Sequence, residues 1–137
     1  MPAKDIYHDT VKRALIKDGW TVYDQFEIEY EDVVLKADLG AEKLFAAERN
    51  ERKIVVEIKV FGGLSFFYEL HAATGQYCNY RALLSEVNPE REIWLAVPLE
   101  IFQSQFQRKA TQKIVADLQI KIVVYDPERE VIAEWIS

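Results

Sequence analysis

The chain begins on a helical period. From Asp5 to Asp18, the positions Tyr7, Val11, Ala14, Leu15 and Asp18 fall on one mostly apolar face, and Gly19 supplies a stop. The period then shortens toward two. Trp20 to Glu29 alternates loosely and is rich in aromatic and β-branched residues, which predicts a strand. Three further strands are expected over Val33 to Gly40, Lys43 to Glu48 and Arg52 to Val60. Asn50-Glu51 is the place left for a short turn between the last two, although it lacks the Asn-Gly of the strongest hairpin signal. Gly62-Gly63 breaks the chain. Leu64 to Val87 is the longest helical stretch and ends near Asn88-Pro89, where proline disfavours continuation.

The remaining segments alternate in type. Glu92 to Val97 is a nearly continuous apolar run, as expected of a buried strand, and Pro98 closes it. Leu99 to Asp117 reads as helix, in one piece or two. Gln119 to Tyr125 reads as a strand, Asp126-Pro127-Glu128 as a turn and Glu130 to Ile136 as a last strand. A meander followed by crossover helices predicts an α/β fold, a mixed sheet with helices on its faces. The 137 residues suit a single domain, 1–137.

Composition narrows the class. Half of the residues are hydrophobic and 29% are charged, an ordinary globular mix. The one cysteine, Cys78, makes neither an intrachain disulfide nor a multi-cysteine zinc site. The first residues are charged rather than apolar, and no run approaches the ~20 apolar residues that span a bilayer. A cytoplasmic soluble protein is the expectation. The net charge of −6 argues against tight, autonomous, nonspecific DNA binding, which draws on Lys and Arg. The acidity is local. Asp24 to Glu57 carries ten acidic and five basic residues, whereas Leu99 to Ile122 carries four basic and two acidic ones.

The chemistry sits in Ile54-Val55-Val56-Glu57-Ile58-Lys59. Strand alternation sends Ile54, Val56 and Ile58 one way and Val55, Glu57 and Lys59 the other. A carboxylate and an ammonium then stand together on one face of an apolar strand. The preceding strand divides likewise, with Leu35, Ala37 and Leu39 on one side and Lys36 and Asp38 on the other. If the strands are close neighbours, Asp38 and Glu57 converge, since opposed side chains lie ~5 Å apart at Cβ. Two carboxylates that close repel unless a cation joins them. Asp38, Glu57 and the backbone carbonyl of Ile58 are therefore candidate ligands for Mg²⁺ or Mn²⁺, ions that suit oxygen donors. Lys59 is the candidate to position a metal-activated water and stabilise charge at phosphorus. The plainer alternative is a solvated strand face with a weak ion pair.

The following helix adds a polar face. Glu69, Ala73, Gln76 and Tyr80 recur at intervals of four, three and four. Such a face is suited to line a cleft, with Gln76 orienting a water or a phosphate. A surface or capping amide accounts for Gln76 equally well. The aromatics Phe66, Phe67, Tyr68, Trp94 and Phe102 are expected mainly in the core or an interface, with base stacking as the other use.

Several segments in this order and spacing resemble one family. They are Val56-Glu57-Ile58-Lys59, Phe61-x-Gly63-Leu64-Ser65, Glu69 and Gly75-Gln76-Tyr77, with Ala3-Lys4-Asp5-x-x-His8 and Lys17-Asp18-Gly19-Trp20 before them. Val124-Tyr125-Asp126 and Glu134-Trp135-Ile136 follow. The chain resembles the cyanobacterial XisH-type proteins, the fdxN element excision controlling factors, over nearly its whole length. The resemblance implies the PD-(D/E)XK, restriction-endonuclease-like fold. It puts Asp38 at the acidic position, Glu57 and Lys59 at the Glu-x-Lys, and Gln76 at the glutamine often found on the next helix. Asp9 or His8 matches an extra acidic position on the first helix. Val60 departs from the small polar residue expected there.

The resemblance implies DNA as a partner, excision by site-specific recombination beside a recombinase and a companion controlling factor, and homodimers as in many nucleases of this superfamily. Two functions stay open. One is a Mg²⁺-dependent endodeoxyribonuclease, supported by Asp38, Glu57 and Lys59 occurring together. The other is a noncatalytic accessory or interaction protein, supported by the net charge, because fold does not fix function.

Overall fold

The computed structural model describes residues 3–45 and 50–137. Helix α1 (Ala3–Lys17) precedes a three-stranded meander of β1 (Thr21–Tyr30), β2 (Val33–Phe45) and β3 (Asn50–Ile58). Helix α2 (Phe66–Val87) leads to β4 (Arg91–Pro98). Helix α3 (Leu99–Ser104), a 3₁₀ turn (Gln105–Gln107) and helix α4 (Lys109–Asp117) then lead to β5 (Ile122–Asp126) and β6 (Val131–Ile136). The strands form one six-stranded sheet in chain order. β1, β2 and β3 pair antiparallel, β3, β4 and β5 parallel, and β5 and β6 antiparallel. This is the mixed α/β sheet flanked by helices that the sequence predicts.

Each parallel step needs a crossover, and both crossovers lie on one face. There α2, α3 and the 3₁₀ turn bury Leu70, Tyr77, Leu84 and Phe106 against Val55, Ile93, Leu95 and Val124. Helix α1 covers the opposite face, where Val11 and Leu15 meet Leu39, Ile54, Val56 and Trp94. Alternation along β3 and β4 thus feeds two separate apolar layers. Ser65 caps α2 by accepting from the Tyr68 N–H at 3.3 Å.

Several expected boundaries move. The segments 33–40 and 43–48 are not separate strands, because β2 runs unbroken from Val33 to Phe45. Gly40 pairs with Tyr23 and Val55 at once, and a Cβ there would meet the Phe26 ring at 3.2 Å. Its role is close packing within a strand. Asn50 and Glu51 are not a turn but paired β3 residues, opposite Phe45 and Leu44. The remaining span of the expected second strand, through Glu48, lies outside the described residues. β5 begins at Ile122 rather than Gln119, since Gln119 adopts φ +53° and turns the chain out of α4.

The largest departure concerns β2. Leu35, Ala37 and Leu39 do not share a face. Leu35 and Ala37 pack on the α2 side, and Leu39 on the α1 side. The β1–β2 ladder runs to Asp24↔Leu39 and resumes at Phe26↔Ala37, with Gln25 between them at φ +57°. This local twist re-aims both strands at Asp38.

One polar knot anchors the α1 face. Arg52 lies over Trp20, Trp94 and Trp135 at 5.8, 5.3 and 5.6 Å from the ring centroids, and its guanidinium reaches Glu92 at 3.1 Å. Lys121 reaches the same carboxylate at 2.6 Å. Burial alone would raise the Glu92 carboxyl, but the bonds from Lys121 and Arg52 outweigh it and hold it below the usual glutamate range. A depressed acid contributes stability above its unfolded pKa and loses it as pH falls through the folded one. Glu92→Gln is therefore expected to lower the melting temperature at pH ~7, and by progressively less as the pH falls below the ordinary glutamate range and through the depressed folded pKa. Thermal unfolding of both proteins across that range checks it.

Candidate metal and nucleic-acid site

The site forms where β2 and β3 part. Their ladder ends at Leu39↔Val56, so the next residues along each strand, Asp38 and Glu57, stand at a fork. There the carboxylates replace the missing ladder bonds. Glu57 Oε1 accepts from the Asp38 backbone N–H at 3.2 Å, and Asp38 Oδ2 accepts from the Ile58 N–H at 2.8 Å. Each side chain holds the other's strand. Glu57 is buried, whereas Asp38 is half-buried and faces the opening. A charged acceptor on a backbone N–H is worth roughly twice a neutral one, which offsets part of the cost of placing two carboxylates together.

Beyond the fork, β3 stays on β4 through the Lys59 N–H, which donates to the Ala96 carbonyl at 3.1 Å. Continued alternation carries the Lys59 side chain to the Glu57 side. Among the described residues its ammonium makes no ion pair or hydrogen bond, although several other cations of this acidic chain are paired. The half-buried Val60 follows, and then Phe61 turns the chain at φ +55° with its ring in the α2-side core.

Helix α2 supplies the next wall. Gln76 Nε2 donates to the Tyr80 hydroxyl at 2.8 Å, and that hydroxyl donates to the Lys36 carbonyl at 3.3 Å. Gln76 is thus a positioned amide rather than a helix cap. Burial raises the Tyr80 phenol, Gln76 opposes the rise, and the charges of Glu57 and Asp38 add to it. Tyr80 therefore stays protonated and lies in the field of both carboxylates. It joins the candidate site although the sequence reading leaves it out, and its four-residue spacing from Gln76 is the signal that points to it.

Helix α1 closes the other side. His8 Nε2 lies 3.3 Å from the Asp38 carbonyl and donates to it in the Nε2–H tautomer. Its Nδ1 lies 3.6 Å from Asp9, which is half exposed. Of the two candidates on this helix, His8 reaches the fork and Asp9 stands behind it. Lys12 bonds Asp24 at 2.8 Å, which holds the Asp24 carboxyl below its ordinary range and ties α1 to β1.

Two members of the expected polar face go elsewhere. Ala73 is buried in the core. Glu69 accepts from the Gly63 N–H at 3.0 and 3.2 Å and clamps the loop between β3 and α2. A Cβ on Gly63 would meet Glu69 Oε1 at 2.6 Å, so alanine there forces the carboxylate off the loop. Gly63→Ala is expected to cost ~1 kcal/mol, the net worth of such an exposed bond, and almost nothing in a Glu69→Ala background. Chemical denaturation of the four proteins of that cycle measures the coupling. Of the aromatics, Trp94 is buried and Phe66, Phe67 and Phe102 pack on the core, while Tyr68 is 76% exposed beside the Gly63 loop.

Among the described residues no group of three or more His, Cys, Asp and Glu side chains could hold a metal ion. The two carboxylates at the fork, with a backbone carbonyl, do not make an all-protein cage. They fit a small divalent cation that keeps several waters and takes few protein oxygens, the habit of Mg²⁺.

The family model described as XisH protein matches residues 1–133. An XisH family protein from Nostoc punctiforme is 40% identical, with a TM-score of 0.87 over 96% of this chain and 99% of its own. An fdxN element excision controlling factor protein from Anabaena variabilis is 41% identical, with a TM-score of 0.87 over 97% of this chain and 99% of its own. No curated protein sequence matches the chain. With the family model matching nearly the whole chain and two solved relatives sharing its fold at this identity, the chain belongs to the XisH family.

Proposed function

We propose that this chain is an excision controlling factor, as the Anabaena variabilis relative is named, and that it acts on DNA by divalent-metal-dependent phosphodiester hydrolysis. The observation that carries the reading is the reciprocal bonding of Asp38 and Glu57 at the strand fork, with Lys59, whose ammonium has no partner among the described residues, two residues on. Two carboxylates and a lysine in this order are what a PD-(D/E)XK nuclease site would use, which supports the reading. Asp38, Glu57 and the Ile58 carbonyl would hold a Mg²⁺ or Mn²⁺ ion, which would supply charge neutralisation at the phosphate and a more acidic bound water.

The chain's own groups do the rest. Lys59 holds the attacking water and faces the negative charge that builds on the phosphate oxygens as water adds and the P–O ester bond breaks. Gln76, fixed by Tyr80, offers its remaining amide groups to the same water or to a phosphate oxygen. His8 fixes the Asp38 backbone from behind.

A noncatalytic accessory role is the second reading. The net charge of −6 favours it, because that charge opposes unaided DNA binding. Labelled duplex, forked and four-way DNA, incubated with the protein and Mg²⁺ or Mn²⁺, separates the two. Metal-dependent cleavage that EDTA stops supports the enzyme. Salt-sensitive DNA binding without cleavage in either metal supports the accessory role.

A further inference from the structure

A second concavity flanks α2 on the side of α4. It is a cleft of about 870 Å³ between the C-terminal half of α2 and the unit of the 3₁₀ turn and α4. Its walls include Leu84 of α2, Phe106 of the 3₁₀ turn and Val115 of α4, over a floor of Ile93 and Ile122. Helix α4 packs chiefly against the 3₁₀ turn and stands off from α2, so Phe102, Val115 and Ile136 are only partly buried. The α2-side core is thus open along one flank. Its volume falls within the ~300–1,000 Å³ of small-ligand pockets.

Two of the three Lys and Arg residues that line this cleft are paired with carboxylates. Tyr77 OH donates to the Ile93 carbonyl at 2.9 Å and accepts from the Lys121 N–H at 3.0 Å. Lys121 is paired with Glu92, and Arg91 with Glu42. Arg81 has no carboxylate partner among the described residues. Its Nη1 donates to the Leu118 and Gln119 carbonyls at 2.8 and 3.0 Å, which anchors the end of α4. Its Nη2 has only the Cys78 sulfur, at 3.7 Å, and the guanidinium lies over the Tyr77 ring. A fixed cation without an anion stands at the wall of an apolar cleft, in a chain whose acids outnumber its bases.

We infer that this cleft binds a small apolar molecule carrying one anionic group, such as an aromatic or aliphatic carboxylate. The apolar body fills the flank between α2 and α4, and the anion pairs with the free donors of Arg81. This site is independent of the nuclease reading, because it uses none of Asp38, Glu57, Lys59 or Gln76.

The test uses two fluorescent probes of similar apolar body. Anilinonaphthalene sulfonate is anionic, and N-phenylnaphthylamine is neutral. The wild-type protein is expected to bind the sulfonate saturably at one site, about tenfold more tightly than the neutral probe, as a charge-assisted bond implies. Dodecanoate is expected to displace it. Arg81→Met should remove the tenfold preference and leave the neutral probe bound. Ala116→Phe, which fills the cleft, should abolish both without lowering the melting temperature. Wild-type protein that binds neither probe, or binds them at many sites untouched by Ala116→Phe, overturns the cleft as a ligand site. Equal binding of both probes overturns the anionic assignment. Cleavage of DNA by Ala116→Phe at the wild-type rate would show that the two sites are separate.

Discussion

Lys59→Ala is expected to lose DNA cleavage by ~10³-fold or more while it still binds Mn²⁺ with wild-type affinity. Lys59 contributes no oxygen ligand, and among the described residues it forms no bond whose loss would disturb the fork. Its removal leaves the bonds from Asp38 N–H to Glu57 and from Ile58 N–H to Asp38 in place. On the proposed reading the ammonium meets charge that exists only in the transition state, so kcat is expected to fall without a matching loss of substrate binding. An electrostatic surface role gives the opposite split. It would weaken DNA affinity by a salt-dependent factor and leave the turnover of bound DNA alone. Single-turnover cleavage measured beside DNA affinity in Ca²⁺ separates the two outcomes.

Tyr77→Phe is expected to destabilise the fold by about 2–4 kcal/mol, or roughly 7–14 °C in melting temperature for a domain of this size. The hydroxyl is buried under α2 and bridges two strands, giving its proton to Ile93 of β4 and taking one from Lys121 just before β5. Burial raises the phenol, so the group remains a donor throughout the working pH range. Phenylalanine keeps the ring and leaves a carbonyl and an N–H facing carbon. Each lost partner costs ~1–3 kcal/mol when water cannot replace it. The neighbouring cleft admits some water, which sets the lower end. Tyr80→Phe, by contrast, removes the bond from Gln76 and a longer one to Lys36, both at part-buried sites that water can reach, and is expected to cost less, about 1–2 kcal/mol. Calorimetric unfolding of both variants measures the difference.

How much of this was legible in the sequence depends on the range of the forces involved. Glu57 and Lys59 could be read because alternation along β3 is local: two polar side chains interrupt one face of an apolar run. Asp38 followed once β2 and β3 were taken as neighbours, and their antiparallel register places it at the fork. Gln76 and Tyr80 were legible as one helical face, but the bond between them and the field of the carboxylates on Tyr80 were not. Those depend on how α2 lies across β2. The face assignment of Leu39 failed for a related reason. A single backbone conformation, Gln25 at φ +57°, lies on the neighbouring strand, and nothing in the pattern of β2 announces it. Gly40 misled in the same way, since a glycine that ends a strand and one that admits a Phe26 ring look alike in one dimension. The cleft beside Arg81 was not legible at all. Its walls come from segments between Tyr77 and Ser137, and its openness reflects α4 packing on the 3₁₀ turn rather than closely on α2.

The central claim is that Asp38 and Glu57 form a divalent-metal site. Its most direct test is a calorimetric titration of Mn²⁺ into the wild-type protein and into Glu57→Gln. The glutamine oxygen can still accept from the Asp38 N–H and so keep the strand junction, while the charge and one candidate ligand oxygen are lost. Saturable binding by the wild type that is lost in the variant, with the melting temperature of the metal-free proteins nearly unchanged, is the predicted result. Equal binding by both proteins, or none by the wild type even with uncleavable DNA present to complete the site, would contradict it.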